Sequence, residues 1–260
     1  MSDQTIFSRR AVVQIASATA LAGSVPATAS AQAVTDGSVS GLHQIGRYQT
    51  GEFDGGAEIV SYDADTDRLF VVNSGVGQVE VLDVSDPTSP TQDSVLNAAA
   101  DVPNGGGANS VDVGGGIVGI AVEHTETQPA GRLAFYDAKS LELLGDIQVG
   151  SLPDKVTLTS DGSYALSANE GEPAYDEPAG DRTDPSGSIS VVDLRDGVGN
   201  ATAENLGFGQ YDDQVEALRA DGVRIYGASS EVEEPLPSTD FEPEFVSVTD
   251  DGETAFVSIQ

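Results

Sequence analysis

The chain has 260 residues, with 43 acidic and 11 basic side chains and a formal net charge of −32; so few basic groups cannot neutralise a phosphate backbone, which excludes nucleic acid as a partner. There is no cysteine, and the initiator is the only methionine, which excludes disulfides, thiolate chemistry and a lipid-modified cysteine. The acids are scattered and only Lys139 and Lys155 are lysine, a composition suited to about 1 M salt, where the screening length falls to roughly 3 Å, and so to a halophile's protein.

Residues 1–33 read as a twin-arginine signal peptide and not as part of the fold. Ser8-Arg9-Arg10 precedes a moderately apolar run from Ala11 to Ala22, and Ala31-Gln32-Ala33 offers small residues for cleavage. The run is too short and too rich in Ser, Thr and Ala for a transmembrane segment. The sequence therefore predicts an exported, extracellular or cell-surface protein whose mature chain starts near Val34. Leu42 to Gln49 then reads as a strand ahead of the first repeat.

From Glu58 onward one pattern recurs: an alternating strand, a turn, a second alternating strand, a loop and a third strand. It begins at Glu58, Asn109, Asp154 and Glu244. A period of about 40 to 50 residues built from short strands predicts an all-β fold of the β-propeller type. The expected four-stranded blades lie near 58–100, 109–150 and 154–195, with an incomplete blade at 244–260. Three and a fraction blades read as the front part of a ring, over 34–260. Asn104 to Gly107 reads as a flexible lead into the second blade. The stretch 196–242 reads as an insertion, with a helix near 210–220 capped by Asp212, a short strand at Val223 to Tyr226, and an acidic loop from Glu231 to Pro237.

The runs Ala57-Glu-Ile-Val, Arg68-Leu-Phe-Val-Val-Asn73, Asn109-Ser-Val, Leu152-Pro-Asp154, Ala168-Asn-Glu-Gly-Glu-Pro173 and Glu242-Pro-Glu-Phe resemble the choice-of-anchor I family. The resemblance covers nearly all of 42–260. It implies a secreted or surface-attached propeller-like protein, and since some members are described as alkaline phosphatases it also implies, as an alternative, a metal-dependent extracellular phosphoesterase.

Motifs for familiar chemistry are absent. There is no Gly-x-Ser-x-Gly elbow, no phosphate-binding Gly-x-x-x-x-Gly-Lys loop and no His-Glu-x-x-His helix. His43 and His124 have no spaced partner. Asp63-Ala-Asp65-Thr-Asp67 starts like a calcium loop but has Arg68 and Ser74 where that loop needs Gly and Glu, so it reads as a hairpin turn. Arg132, Arg182 and Arg195 are candidate phosphate partners without an evident site. Asn200-Ala201-Thr202 is a glycosylation sequon.

The repeat overlay supplies the candidate site. Glu58, Asn109, Asp154 and Glu244 stand where each innermost strand begins, and antiparallel pairing brings the end of each second strand, with Asn73, Glu123, Asn169, Glu170 and Glu172, to the same channel mouth. Glu58, Asp154, Glu170 and Glu244, with Asn109 and Asn169 as neutral oxygens, suit a hard cation, Ca2+ first and Mg2+ second. A polar plug of the channel is the competing reading. The function expected is an interaction module for an extracellular ligand or surface component; enzyme activity stays open.

Overall fold

The computed structural model describes residues 44–51, 55–126, 128–173, 183–226 and 236–260. The expected signal peptide, His43, Arg182 and most of Glu231 to Pro237 lie outside them.

Twelve strands form three antiparallel sheets, each a four-stranded meander in chain order. The first holds β1 (Val60–Asp63), β2 (Arg68–Asn73), β3 (Gln78–Asp83) and β4 (Thr91–Leu96). The second holds β5 (Gly105–Gly114), β6 (Ile117–His124), β7 (Ala130–Asp137) and β8 (Leu143–Ser151). The third holds β9 (Pro153–Leu158), β10 (Tyr164–Asn169), β11 (Ser188–Asp193) and β12 (Thr202–Gly207). A hairpin of β13 (Pro243–Val248) and β14 (Ala255–Ile259) follows.

Strand alternation explains how the sheets stack. Phe70, Val72, Val79 and Val81 of the first sheet meet Val111, Val118, Ile120 and Ala134 of the second in one buried cluster. The residues between them in sequence, Ala121, Leu133 and Phe135, point to the opposite face and pack on Val156, Leu158 and Ala165 of the third. A smaller cluster of Leu166, Ala168 and Val246 joins the third sheet to the hairpin. The second and third sheets each bury both faces against their neighbours, which is β-propeller packing.

The innermost strands are also stitched directly. The hydroxyl of Ser61 donates to Asp112 Oδ1 at 2.9 Å and accepts from the Val113 amide at 3.2 Å, while Asp112 Oδ2 accepts from the Leu158 amide at 2.8 Å. Thr157 Oγ1 donates to the Val246 carbonyl at 2.9 Å. Ser61, Asp112 and Thr157 occupy the same repeat position, three residues after Glu58, Asn109 and Asp154. Asp112→Ala is expected to cost about 1–3 kcal/mol, because it leaves the Leu158 amide unpaired; thermal unfolding against Asp251→Ala, in an exposed turn, checks it.

Five local expectations are corrected. Residues 44–50 are not a strand: Gly46 lies against the Pro87 carbonyl and the Tyr48 hydroxyl is raised by burial and by Glu80 of β3, so the segment runs beside the first sheet without pairing to its edge. Asn104 to Gly107 is largely β5, and glycine is needed there for close approach, since a Cβ on Gly105 would stand 2.4 Å from the Ala99 carbonyl oxygen of α1 (Ala98–Asp101). The insertion placed at 196–242 contains β12, an edge strand exposed along its whole length, which gives it no apolar alternation to read. Asp212 does not cap α2 (Val215–Ala220), which starts after Gln214; its carboxylate accepts from the amide and hydroxyl of Ser238 in α3 (Pro237–Asp240), and Val223 to Tyr226 is not a strand.

Candidate functional site

Each innermost strand carries a β-bulge at its first repeat position. Lys155 pairs with Ala168 and Pro153 with Asn169, so Asp154 is the extra residue between them. Pro243 pairs with Ile259 and Phe245 with Ser258, which leaves Glu244 extra. Ala108 pairs with Val122 and Ser110 with Ala121, which leaves Asn109 extra. In the first sheet Val72 accepts from the Glu58 amide at 3.1 Å and donates to the Ile59 carbonyl at 2.8 Å, again two residues facing one. A bulged residue is freed from the ladder and its side chain is re-aimed. The polar residues at Glu58, Asn109, Asp154 and Glu244 are therefore the bulge residues of four repeats.

The loop after β10 completes this end of the channel. The Glu170 amide donates to the Leu152 carbonyl at 3.0 Å and the Gly171 amide to the Ser151 carbonyl at 3.2 Å. Gly171 has φ 70°, and a Cβ there would lie 2.7 Å from the carbonyl carbon of Ser186, so only glycine fits. Leu152 holds φ 48°, a left-handed conformation unfavourable for a branched side chain, in the residues that lead into β9.

These devices bring carboxylates together. Burial, then repulsion from Glu244, Glu172 and Glu58, pushes Asp154 up to about 6 against the opposing pull of Lys155. Burial, then Asp154, Glu172, Glu244 and Glu242, pushes Glu170 up to about 7. Glu242 is raised by burial and by Glu172, Asp184 and Asp240. Glu242 and Glu172 thus belong to the same cluster, and Glu242 is absent from the overlay because it precedes its strand by one residue. Lys155 is buried, with its ammonium 5.1 Å from the Phe245 ring centroid; burial lowers its pKa while Asp112 and Asp154 raise it.

The two neutral ligands expected at the mouth serve elsewhere. Asn169 is fully buried: its amide donates to Ser190 Oγ at 2.8 Å and to Ser188 Oγ and the Ser188 carbonyl at 3.2 Å, while its oxygen accepts from Ser167 Oγ at 2.9 Å. Asn109 donates to the Pro153 carbonyl at 3.3 Å, bridging two sheets, and hydrogen-bonds Glu123, which burial raises. Asn73 donates to Glu80 at 2.7 Å inside the first sheet. Their amide nitrogens turn inward to acceptors within the sheets, although the buried Asn73 Oδ1 has no partner among the described residues.

Among the described residues, no three His, Asp or Glu side chains stand close enough to hold a metal ion. The cluster is a shared field of negative charge, not a preformed coordination shell. Asp63 accepts from the Asp65 amide and from Thr66 Oγ1, an Asx turn in its hairpin. His124, the last residue of β6, accepts from the Glu126 amide just beyond the strand. Arg132 pairs with Asp146, and Arg195 pairs with Asp193 and stacks on Tyr164, so neither faces the mouth. No helix among the described residues is long and apolar enough to cross a membrane.

The family model of the choice-of-anchor I domain matches residues 58–260. No curated protein matches the chain. A protein of solved structure from Lactobacillus plantarum aligns with a TM-score of 0.50 at 14% identity, over 78% of this chain and 50% of that one. A putative 6-phosphogluconolactonase from Bacteroides uniformis aligns at 0.47 and 11%, over 77% and 46%. The β-propeller domain of the Trilobed protease from Pyrococcus furiosus aligns at 0.33 and 11%, over 58% and 42%. The chain thus spans about half the length of the Lactobacillus plantarum protein.

Proposed function

Because the chain belongs to the choice-of-anchor I domain family, we propose that it is an exported, surface-located β-propeller module that captures positive charge at its acidic mouth. The ligand is a Ca2+ ion first and Mg2+ second, held as part of the contact with an extracellular or surface partner. The observation that carries this reading is the repeated bulge, which aims Glu58, Asp154 and Glu244 at one end of the channel beside Glu170. Half-buried carboxylates that repel one another gain most from a cation. Calcium suits them better than magnesium, since it accepts irregular oxygen spacings and six to eight ligands, waters included. Phosphoester hydrolysis, the alternative implied by the resemblance, draws no comparable support from the described residues.

Calcium titration at fixed high ionic strength tests the reading, with thermal unfolding as the readout. At a hundred times Kd a single site adds about 2.7 kcal/mol, roughly 5–10 °C for a domain of this size. Asp154→Asn is expected to abolish most of that shift, while Asp65→Asn, in an exposed hairpin turn, leaves it intact. Equal responses of the two variants, or no response of the parent protein, would sink the cation reading and leave the polar plug.

A further inference from the structure

We propose that Asn200 is an N-glycosylation site, the acceptor of an oligosaccharide carried on a lipid phosphate. Asn200-Ala201-Thr202 is the only Asn-x-Ser/Thr triplet in the 260 residues. The sequence alone makes it a weak motif; its setting in the fold makes it a presented one.

Asn200 ends a 3-10 turn, Val198–Asn200, and Thr202 opens β12. Val198 and Ala201 pack against the core cluster shared by the second and third sheets. Asn200 and Thr202, beside these anchors, are exposed. The triplet is thus held by its apolar residues with both reactive side chains outward. The Asn200 amide makes one hydrogen bond, to the Asp196 carbonyl at 3.0 Å, which is exposed and exchangeable with water. Around the turn there is open space, since a Cβ on Gly197 or Gly199 would meet nothing within 4 Å. Every residue of β12, the outermost strand of its sheet, is exposed as well.

The position also fits the mouth reading without depending on it. Thr202 pairs with Asp193, whereas Gly207 at the far end of β12 pairs with Ser188, beside Asn169. A glycan on Asn200 therefore decorates the outer rim at the end of the sheet away from the carboxylates and leaves the channel mouth open.

In the transfer, the Asn200 amide nitrogen forms a bond to the anomeric carbon of the donor sugar. The bond from that carbon to the phosphate oxygen breaks, its electron pair leaves with the lipid phosphate, and the amide loses one proton to a base of the transferase. No oxidant or reductant is needed. The inference rests on export, which brings the folded rim to the lipid-linked donor, and not on a cation.

The test is mass spectrometry of the peptide spanning Asn200, from protein recovered outside the producing cells. The expected result is a mass excess of whole sugar residues in the parent protein and in Thr202→Ser, and its loss in Asn200→Gln and Thr202→Ala. Calcium-dependent unfolding of Asn200→Gln is expected to match the parent. Protein recovered outside the cell with Asn200 bare overturns the inference and leaves export standing. Protein retained inside the cell with Asn200 bare overturns both.

Discussion

Asn169→Ala is expected to lower stability by roughly 3 kcal/mol, or about 6–12 °C in the unfolding temperature. The side chain is fully buried and joins Ser167 on its own strand to Ser188 and Ser190 on β11. Its removal strands hydroxyls where water does not reach. Ser190 retains its bond to Asn205, which limits the loss. Asn169→Asp gives the sharper result, because a metal ligand and a structural hub respond to it with opposite sign. An added carboxylate would strengthen a cation site. In the hub it removes the amide donor and buries a charge, so the variant is expected to be at least as unstable as Asn169→Ala, without any gain in calcium affinity. A tighter calcium response in Asn169→Asp would return Asn169 to the mouth.

The strands were legible because their turn chemistry and alternation repeat. The run Thr159-Ser160-Asp161-Gly162 forms the same turn as Thr249-Asp250-Asp251-Gly252: each threonine hydroxyl donates to the aspartate two residues on, at 2.7 and 2.6 Å. β12 was hidden because an exposed edge strand has no buried face to impose a period. The carboxylates of the mouth were legible for a different reason. An acid at the start of an innermost strand is out of place unless something turns it away from the sheet, and the overlay registered that misplacement without identifying its cause. The cause is the bulge, which only pairing reveals. The asparagines misled because the sequence shows an amide's presence and not its direction. Asn169 follows Ala168 into a sheet interior, where Ser188 and Ser190 use up its donors. Glu242 was missed because it lies outside the strand, and proximity across the sheet–hairpin junction is not a sequence property.

Without calcium, neutralising the mouth is expected to stabilise the protein at neutral pH. Asp154 is raised from 3.8 to about 6 and Glu170 from 4.5 to about 7, in each case first by burial and then by neighbouring carboxylates. The folded state therefore holds these protons more tightly than the unfolded chain. Their contribution is fully present below about pH 4, declines as pH rises through the two raised values, and levels off above about 7. A tenfold change in proton affinity corresponds to about 1.4 kcal/mol, but both groups are only half-buried and solvent screening reduces it, so the combined loss is on the order of 2 kcal/mol. The double variant Asp154→Asn, Glu170→Gln is expected to flatten this part of the profile and to unfold roughly 4–8 °C above the parent at neutral pH. Calcium reverses the order: the parent gains at the mouth and the variant does not, so their unfolding temperatures converge or cross as the ion is added. All measurements need one fixed high salt concentration, because screening of the whole chain's charge would otherwise raise both curves together. Parallel pH profiles for parent and variant would show that these carboxylates do not repel one another in the folded protein. A variant less stable than the parent in calcium-free solution at neutral pH would mean that Asp154 and Glu170 act as hydrogen-bond acceptors that hold the mouth together, as the polar plug requires.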